Sequence, residues 1–290
     1  MELVILAAGM GSRYGGLKQV DPMGPGGETV LDYAVYDARR AGFSRVVFVI
    51  RKDFEDIFKE KVGSRCARLL DVAYAYQELT DLPGALGGRP LADERPKPWG
   101  TGHAVWCARH AVREPFAVIN ADDFYGEDSF RRLAGFLKTN PGTTRYAMVG
   151  FRLDQTLSEH GAVSRGVASV RDGRLVGLEE RSGILSADVG RGAYRGDEIV
   201  SMNCWGFQPG VFAQLGEQFA QFLVARGADP KAEFYLPAAI ASLVATGQAE
   251  VEILPTNSRW FGVTFREDRP GVVKAIDGLI RSGGYPPSIF

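Results

Sequence analysis

The chain has 290 residues, 45% of them hydrophobic and 24% charged, with 34 Lys and Arg against 35 Asp and Glu. That length and composition suit a globular protein with a sizeable core, and exclude whole-chain disorder or fibrous structure. The balanced charge argues against a dedicated duplex-nucleic-acid binder, and no apolar run is long enough to cross a membrane as a helix.

Residues 3–8 (LVILAA) form a short continuous apolar run ended by Gly9, the pattern of a strand buried on both faces. From about Thr29, Leu31, Ala34, Val35 and Ala38 recur at helical spacing until Gly42. Residues 45–50 (RVVFVI) predict a second buried strand, residues 52–61 a polar helix and residues 72–77 a third strand. Residues 81–98 carry repeated prolines and glycines and read as a loop or flap. A helix with Ala104, Val105, Ala108, Ala111 and Val112 on one face follows, then a strand at 116–120, a helix near 128–138 and a strand near 145–151. Alternating strands and helices imply a mostly parallel sheet with crossover helices.

Beyond residue 150 the texture becomes β-rich. Segments 161–170 and 174–180 flank Asp172-Gly173, a hairpin signal, and a strand is expected at 199–207. Helices at 210–225 and 234–245, a strand at 251–254, and a closing helix with Val272, Val273, Ile276, Leu279 and Ile280 on one face complete the chain. One domain over 1–290 is expected, with halves at 1–150 and 151–290. Cys66, Cys107 and Cys204 are widely spaced and read as buried apolar residues in a reducing compartment. The N-terminus lacks a secretory pattern, so a soluble cytoplasmic protein is expected.

The loop after the first strand, residues 6–19 (LAAGMGSRYGGLKQ), holds the strongest chemical signal. Gly9, Gly11, Gly15 and Gly16 allow close backbone approach and present N–H groups, while Arg13 and Lys18 supply cations suited to a polyphosphate. It fits neither the dinucleotide fingerprint nor the P-loop, because the glycines and Lys18 fall at the wrong spacings. The segment resembles the opening signature of the nucleoside-triphosphate-dependent sugar-1-phosphate nucleotidyltransferases, or pyrophosphorylases. The Arg-to-Lys gap is shorter than in most sugar enzymes and closer to cytidylyl- and molybdopterin-guanylyl-transferring relatives. The resemblance implies a three-layer α/β/α Rossmann-like fold (GT-A-like), with a mostly parallel mixed sheet and a β-rich second half. It implies that Leu6, Ala7, Ala8, Gly9 and Gly11 hold the nucleotide, and that Arg13 and Lys18 act on the departing pyrophosphate.

Further segments extend the likeness in order along the chain. Gln77 precedes the flap and Gly100-Thr101-Gly102-His103-Ala104-Val105 follows it, similar to bacterial uridylyltransferases. By that resemblance Gln77 and Gly100 contact the base, with Thr101 beside them. His103 reads as a polar residue in a helix's first turn, and the three histidines have no metal-ligand spacing. Asp122 and Asp123 end the strand at 116–120, at the sheet edge where such folds bind ligands. FAVINADD resembles the family's strand ending in a metal-binding Asp, here Asp122, which implies Mg²⁺ as cofactor. On the sugar side, Gly161, Glu180 and Asn203 match positions that approach the sugar, and Arg181 stands where Lys is common near its phosphate. Where many relatives carry a second metal Asp, Trp260-Phe261-Gly262 has glycine; Glu267, Asp268 or water would complete the shell, or a single carboxylate suffices.

The expected reaction is Mg²⁺-dependent nucleotidyl transfer from an NTP to a sugar 1-phosphate, releasing pyrophosphate. UTP is favoured, with dTTP or CTP as alternatives. The partners are those two substrates, with no nucleic acid and no membrane, and a homo-oligomer is left open. Competing readings are a cytidylyltransferase for a non-sugar phosphate such as phosphocholine, a nucleotide-sugar-dependent glycosyltransferase, and a non-catalytic nucleotide-sugar sensor.

Overall fold

The computed structural model describes residues 1–9, 20–84, 95, 97–140, 144–262 and 266–290. Strand β1 (Glu2–Leu6) buries Leu3, Val4 and Ile5 completely, because helices cover both faces of its sheet. Helix α1 (Val30–Ala41) starts at a reciprocal cap: Thr29 N–H donates to Asp32 Oδ2 at 2.7 Å, and Asp32 N–H donates to Thr29 Oγ1. It stops at Gly42, whose φ of 95° is left-handed. Strand β2 (Arg45–Ile50) runs parallel to β1.

The helix expected at 52–61 is instead a broken helical run that continues to Cys66. A 3₁₀ turn (Lys52–Phe54) leads into α2 (Glu55–Phe58), a π turn (Lys59–Gly63) and α3 (Ser64–Cys66). Phe58, Val62 and Cys66 recur on its buried face. A Cβ on Gly63 would lie 2.0 Å from the Tyr74 hydroxyl, so the glycine permits this close passage over the next strand.

Strand β3 (Asp71–Tyr76) pairs with β2, and further along the chain come α4 (Thr101–Cys107), β4 (Phe116–Asn120) and the two-residue β5 (Asp123–Phe124). Helix α5 (Glu127–Thr139) and strand β6 (Arg145–Arg152) follow. Strands β7 (Val163–Arg171) and β8 (Arg174–Ile184) form the expected hairpin, with Asp172 and Gly173 at φ of 53° and 74°, the pair of positive angles a type I′ turn requires. Strand β9 (Ile199–Phe207), helices α6 (Val211–Arg226) and α7 (Leu236–Ala245), strands β10 (Glu250–Pro255) and β11 (Phe261–Gly262), and helix α8 (Arg269–Arg281) complete the order.

Nine strands form one sheet in the order β3-β2-β1-β4-β9-β6-β10-β8-β7. It is parallel through β3-β2-β1-β4 and between β6 and β10; β9, β8 and β7 pair antiparallel. One core packs α1, α2, α3 and α5 against the sheet through Leu31, Phe58, Cys66 and Phe130. The opposite core packs α4, α6 and α7 through Val105, Phe219 and Ile240. The architecture is the three-layer, Rossmann-like α/β/α arrangement. Strand β6 crosses the 150/151 boundary, so a single sheet draws on both halves. All three cysteines are buried and unpaired. Among the described residues no helix is long and apolar enough to cross a membrane.

Candidate active site

Leu6 of β1 lies opposite Asn120 of β4, so both strands end at one sheet edge. There β4 and β9 part company, their pairing ending at Val118 and Trp205. Two residues further back, Asn203 takes a φ of 56°, unusual for a non-glycine residue, and the β6–β9 register shifts nearby. The bulge opens a crevice beyond the carboxyl ends of the strands, where open α/β sheets take ligands.

Two cavities meet there. The first, about 360 Å³, is lined by Leu6, Ala8 and Gly9, by Gln77, by Gly100, Thr101 and Ala104 at the start of α4, and by Asn120, Asp122 and Asn203. Lys97, Pro98 and Glu233 close it. The second, about 220 Å³, shares Asn120, Asp122 and Asn203 and continues to Asp123, Arg165, Glu180, Ser201 and Trp260.

Most described residues singled out from the sequence therefore converge on one crevice. Ala7 does not: strand pleating turns it into the core, where it is fully buried. Gly161 lines neither cavity, and Arg181 is exposed and paired with Glu179 at 2.7 Å. Gly11, Arg13 and Lys18 lie outside the described residues. Sequence reasoning passed over Lys97, Asn120, Arg165 and Glu233. Arg165 had a signal: strand alternation places it on the face of Val163 and Val167, an inward cation.

At the first cavity's inner end, Gly100 has φ 101° and ψ −177°, and a Cβ there would lie 2.7 Å from the Phe234 carbonyl oxygen. Only glycine fits both constraints. Gly102 N–H donates to that same carbonyl at 2.8 Å, and Thr101 Oγ1 accepts from Leu236 N–H at 3.0 Å, tying α4 to α7. Gln77 Nε2 donates to Gly100 O at 2.9 Å. His103 does sit in the first turn of α4, as its position predicts, but it is wholly buried beside Trp106 and Phe219, and burial holds its pKa down to about 4. Beside the first cavity's Pro98, Arg95 ties the segment before α4 to the α6–α7 connection, donating to Asp229 O and Pro98 O at 3.2 Å each, with its guanidinium 3.8 Å over the Trp99 ring.

Where the cavities join, Asp122 is half-buried and Asp123 is buried. Asp123 Oδ2 accepts from Asn120 Nδ2 at 2.9 Å and lies 3.1 Å from the Tyr125 hydroxyl. Burial, then the charge of Asp122, lifts the Asp123 carboxyl to about 7. A Cβ on Gly262 would lie 2.5 Å from Asp123 Oδ1 and 2.7 Å from the Trp260 ring. The Asp123 carboxylate thus fills the space into which a side chain at 262 would project. Burial pushes Arg165 below its ordinary value; its Nε donates to Thr156 O at 3.1 Å and its guanidinium lies 5.0 Å from the Trp260 ring. Trp260 Nε1 is buried with no acceptor among the described residues.

The residues common to both cavities carry oxygen ligands: the Asp122 carboxylate and the side-chain amides of Asn120 and Asn203, whose oxygens accept from Asn203 Nδ2 at 3.5 Å and from Trp205 Nε1 at 3.4 Å. Two adjacent carboxylates that repel one another also favour a cation. This set fits Mg²⁺, which prefers oxygen ligands and keeps several waters. Among the described residues no group of three or more His, Cys, Asp and Glu is placed to hold a metal, so water would supply much of the shell.

Three solved structures share the fold across nearly the whole chain. A Bacillus anthracis protein assigned as a glucose-1-phosphate thymidylyltransferase, in complex with sucrose, aligns at TM-score 0.64 and 14% identity, covering 95% of this chain and 94% of that one. The inositol-1-phosphate CTP transferase from T. maritima aligns at 0.61 and 15%, covering 96% of each. A UDP-glucose pyrophosphorylase complexed with UDP-glucose aligns at 0.58 and 17%, covering 96% and 98%. In sequence, the bifunctional protein GlmU of Hyphomonas neptunium is 33% identical over 110 residues, which is 38% of this chain but only 19% of that protein's length. Residues 3–155, more than half of the chain, match the MobA-like NTP transferase domain, and the protein belongs to that family of nucleotidyltransferases.

Proposed function

We propose that this enzyme transfers a nucleotidyl group from an NTP to a sugar 1-phosphate in a Mg²⁺-dependent reaction, releasing pyrophosphate and an NDP-sugar. The observation that carries this reading is the meeting of two cavities at Asp122, one walled by the glycine strand end and an amide, the other by polar side chains. Gln77 and Gly100 face the base, while Glu180 and Asn203 face the sugar. Trp260 Nε1 offers a buried donor beside the second cavity. An oxygen of the sugar phosphate attacks the α-phosphorus in line, so no protein nucleophile is required. The protein's share is positioning and charge neutralisation. Mg²⁺ held by Asp122, with Asn120 and Asn203 nearby, would neutralise phosphate charge. Arg13 and Lys18 are assigned to the departing pyrophosphate by the resemblance of their loop. UTP is the favoured donor, from Gln77 and the segment at 100–105; dTTP and CTP are alternatives, and the names of the structural neighbours span all three nucleotides. A soluble enzyme acting in the cytoplasm on two small substrates, without nucleic acid or membrane, fits this chemistry.

The test is pyrophosphate release from a matrix of NTPs and sugar 1-phosphates, phosphocholine included, with and without Mg²⁺. Release is expected for a small set of pairs, abolished by chelation and reduced about a hundredfold or more in Asp122→Asn. Silence in every cell would favour a nucleotide-sugar sensor. Turnover of an NDP-sugar without pyrophosphate would favour a glycosyltransferase.

A further inference from the structure

We propose that His103 is a positioning residue that fixes the polarity of the Gln77 side-chain amide, so that Gln77 offers the base an acceptor and no donor. The inference deepens the reading of the first cavity as a nucleotide site and rests on it.

The two ends of a Gln amide are nearly alike in shape, so their direction must be read from their partners. Two partners here are backbone carbonyls, which can only accept. Gly100 O lies 2.9 Å from the amide's inner atom, which is therefore Nε2. Asp81 O lies 2.9 Å from His103 Nε2, which therefore carries the ring proton. A neutral imidazole has a single N–H, so Nδ1 presents its lone pair, 3.3 Å from Gln77 Nε2. The second amide hydrogen goes there. Reversing the amide would set Oε1 against both the Gly100 carbonyl and that lone pair. The ring stays neutral because it is fully buried, its centroid 4.8 Å from that of Phe219. Cys107 Sγ, 3.2 Å from Nε2, can share the same proton only as a weak acceptor.

The anchor itself is braced. Arg109 donates to both oxygens of Asp81 at 2.8 and 2.6 Å, and its guanidinium lies 3.5 Å over the Trp106 ring. This holds the Asp81 carbonyl on the imidazole. With both amide hydrogens directed inward, Gln77 has only Oε1 for the cavity it lines. It reads a donor on the base, such as N3–H of uracil or thymine or the exocyclic amine of cytosine. It cannot donate to a base carbonyl.

Three measurements test this. Long-range ¹H–¹⁵N correlation on the wild-type protein at neutral pH should show the Nε2–H tautomer of His103, with both Gln77 amide hydrogens protected from exchange. His103→Asn, whose Oδ1 can stand near the Nδ1 position, should keep KM for the NTP close to wild type. His103→Leu should raise that KM about tenfold, with kcat little changed. With a uracil or thymine donor, N3-methylation of the base should cost the wild type a similar factor and His103→Leu little more. An Nδ1–H tautomer, or an unchanged KM in a folded His103→Leu, overturns the proposal. If the Nε2–H tautomer is found but no NTP is turned over or bound, the nucleotide reading fails and the base-recognition claim falls with it, while the His103–Gln77 geometry stands.

Discussion

Asp37 allows a quantitative test of the packing that joins α1 to the C-terminus. It is fully buried, its Oδ2 accepts from the Tyr285 hydroxyl at 2.5 Å, and its Oδ1 has no partner among the described residues. Burial outweighs that hydrogen bond and the charge of Arg40, and lifts the carboxyl from 3.8 to about 7. A raised folded-state pKa means that the unfolded chain gives up the proton first. The associated stability is therefore intact below about pH 4 and lost as pH rises through about 7. A shift of about 3 units corresponds to about 4 kcal/mol in full, of which about 2.5 kcal/mol falls between pH 5 and 8. Asp37→Asn keeps the shape and an acceptor for Tyr285 but does not titrate. Its stability relative to wild type should therefore improve by about 2.5 kcal/mol on going from pH 5 to pH 8. Any cost of the new NH₂ group is common to both pH values and cancels, as does the contribution of Asp123. Urea unfolding followed by the fluorescence of the buried Trp205 and Trp260 reads the difference. Parallel pH dependences in the two proteins would refute the assignment of a neutral buried carboxyl at Asp37.

Other substitutions separate backbone demands from side-chain chemistry. Asn203→Gly should fold normally and lose the turnover proposed above, whereas Asn203→Ala should be less stable by about 1 kcal/mol because its φ of 56° disfavours a Cβ; equal stability of the two in urea unfolding would remove the strain argument. Gly262→Ala places a Cβ against Asp123 Oδ1 and the Trp260 ring, and should cost about 1–3 kcal/mol in calorimetry. Gly100→Ala meets both a forbidden φ and the Phe234 carbonyl, and should cost about 2 kcal/mol or more and weaken NTP binding in titration calorimetry.

Elements with strong periodicity and clear end signals were legible in the sequence. The spans of β2, β4 and β9 coincide with their apolar runs, and Thr29 and Gly42 bracket α1 as cap residues should. What escaped depended on partners distant in sequence. The π turn at Lys59–Gly63 reflects the passage of Gly63 over Tyr74, and β5 and β11 are too short to carry any period. Ala7 was grouped with its neighbours, although pleating sends it to the opposite face. The environment of His103 needed the fold, since Asp81 and Phe219 reach it from other parts of the chain. The left-handed Asn203 was equally hidden, because asparagine tolerates that conformation without announcing it.

The position of β9 makes the crevice a property of the whole chain. The stretch matching the NTP transferase family, 3–155, contains β1 to β6, yet both sheet neighbours of β6, namely β9 and β10, lie beyond it. In a fragment of residues 1–155, β6 would have no strand to pair with and β4 would present an open apolar edge. Gly100 and Gly102 would lose Phe234, and the α4 face would lose Phe219. Asp122 would lose Asn203, and with it the second cavity. Such a fragment should lack a cooperative thermal transition and should not protect its β1 and β4 amides from exchange. A cooperative, exchange-protected fragment would show that the first half folds independently and that the second half is only docked against it.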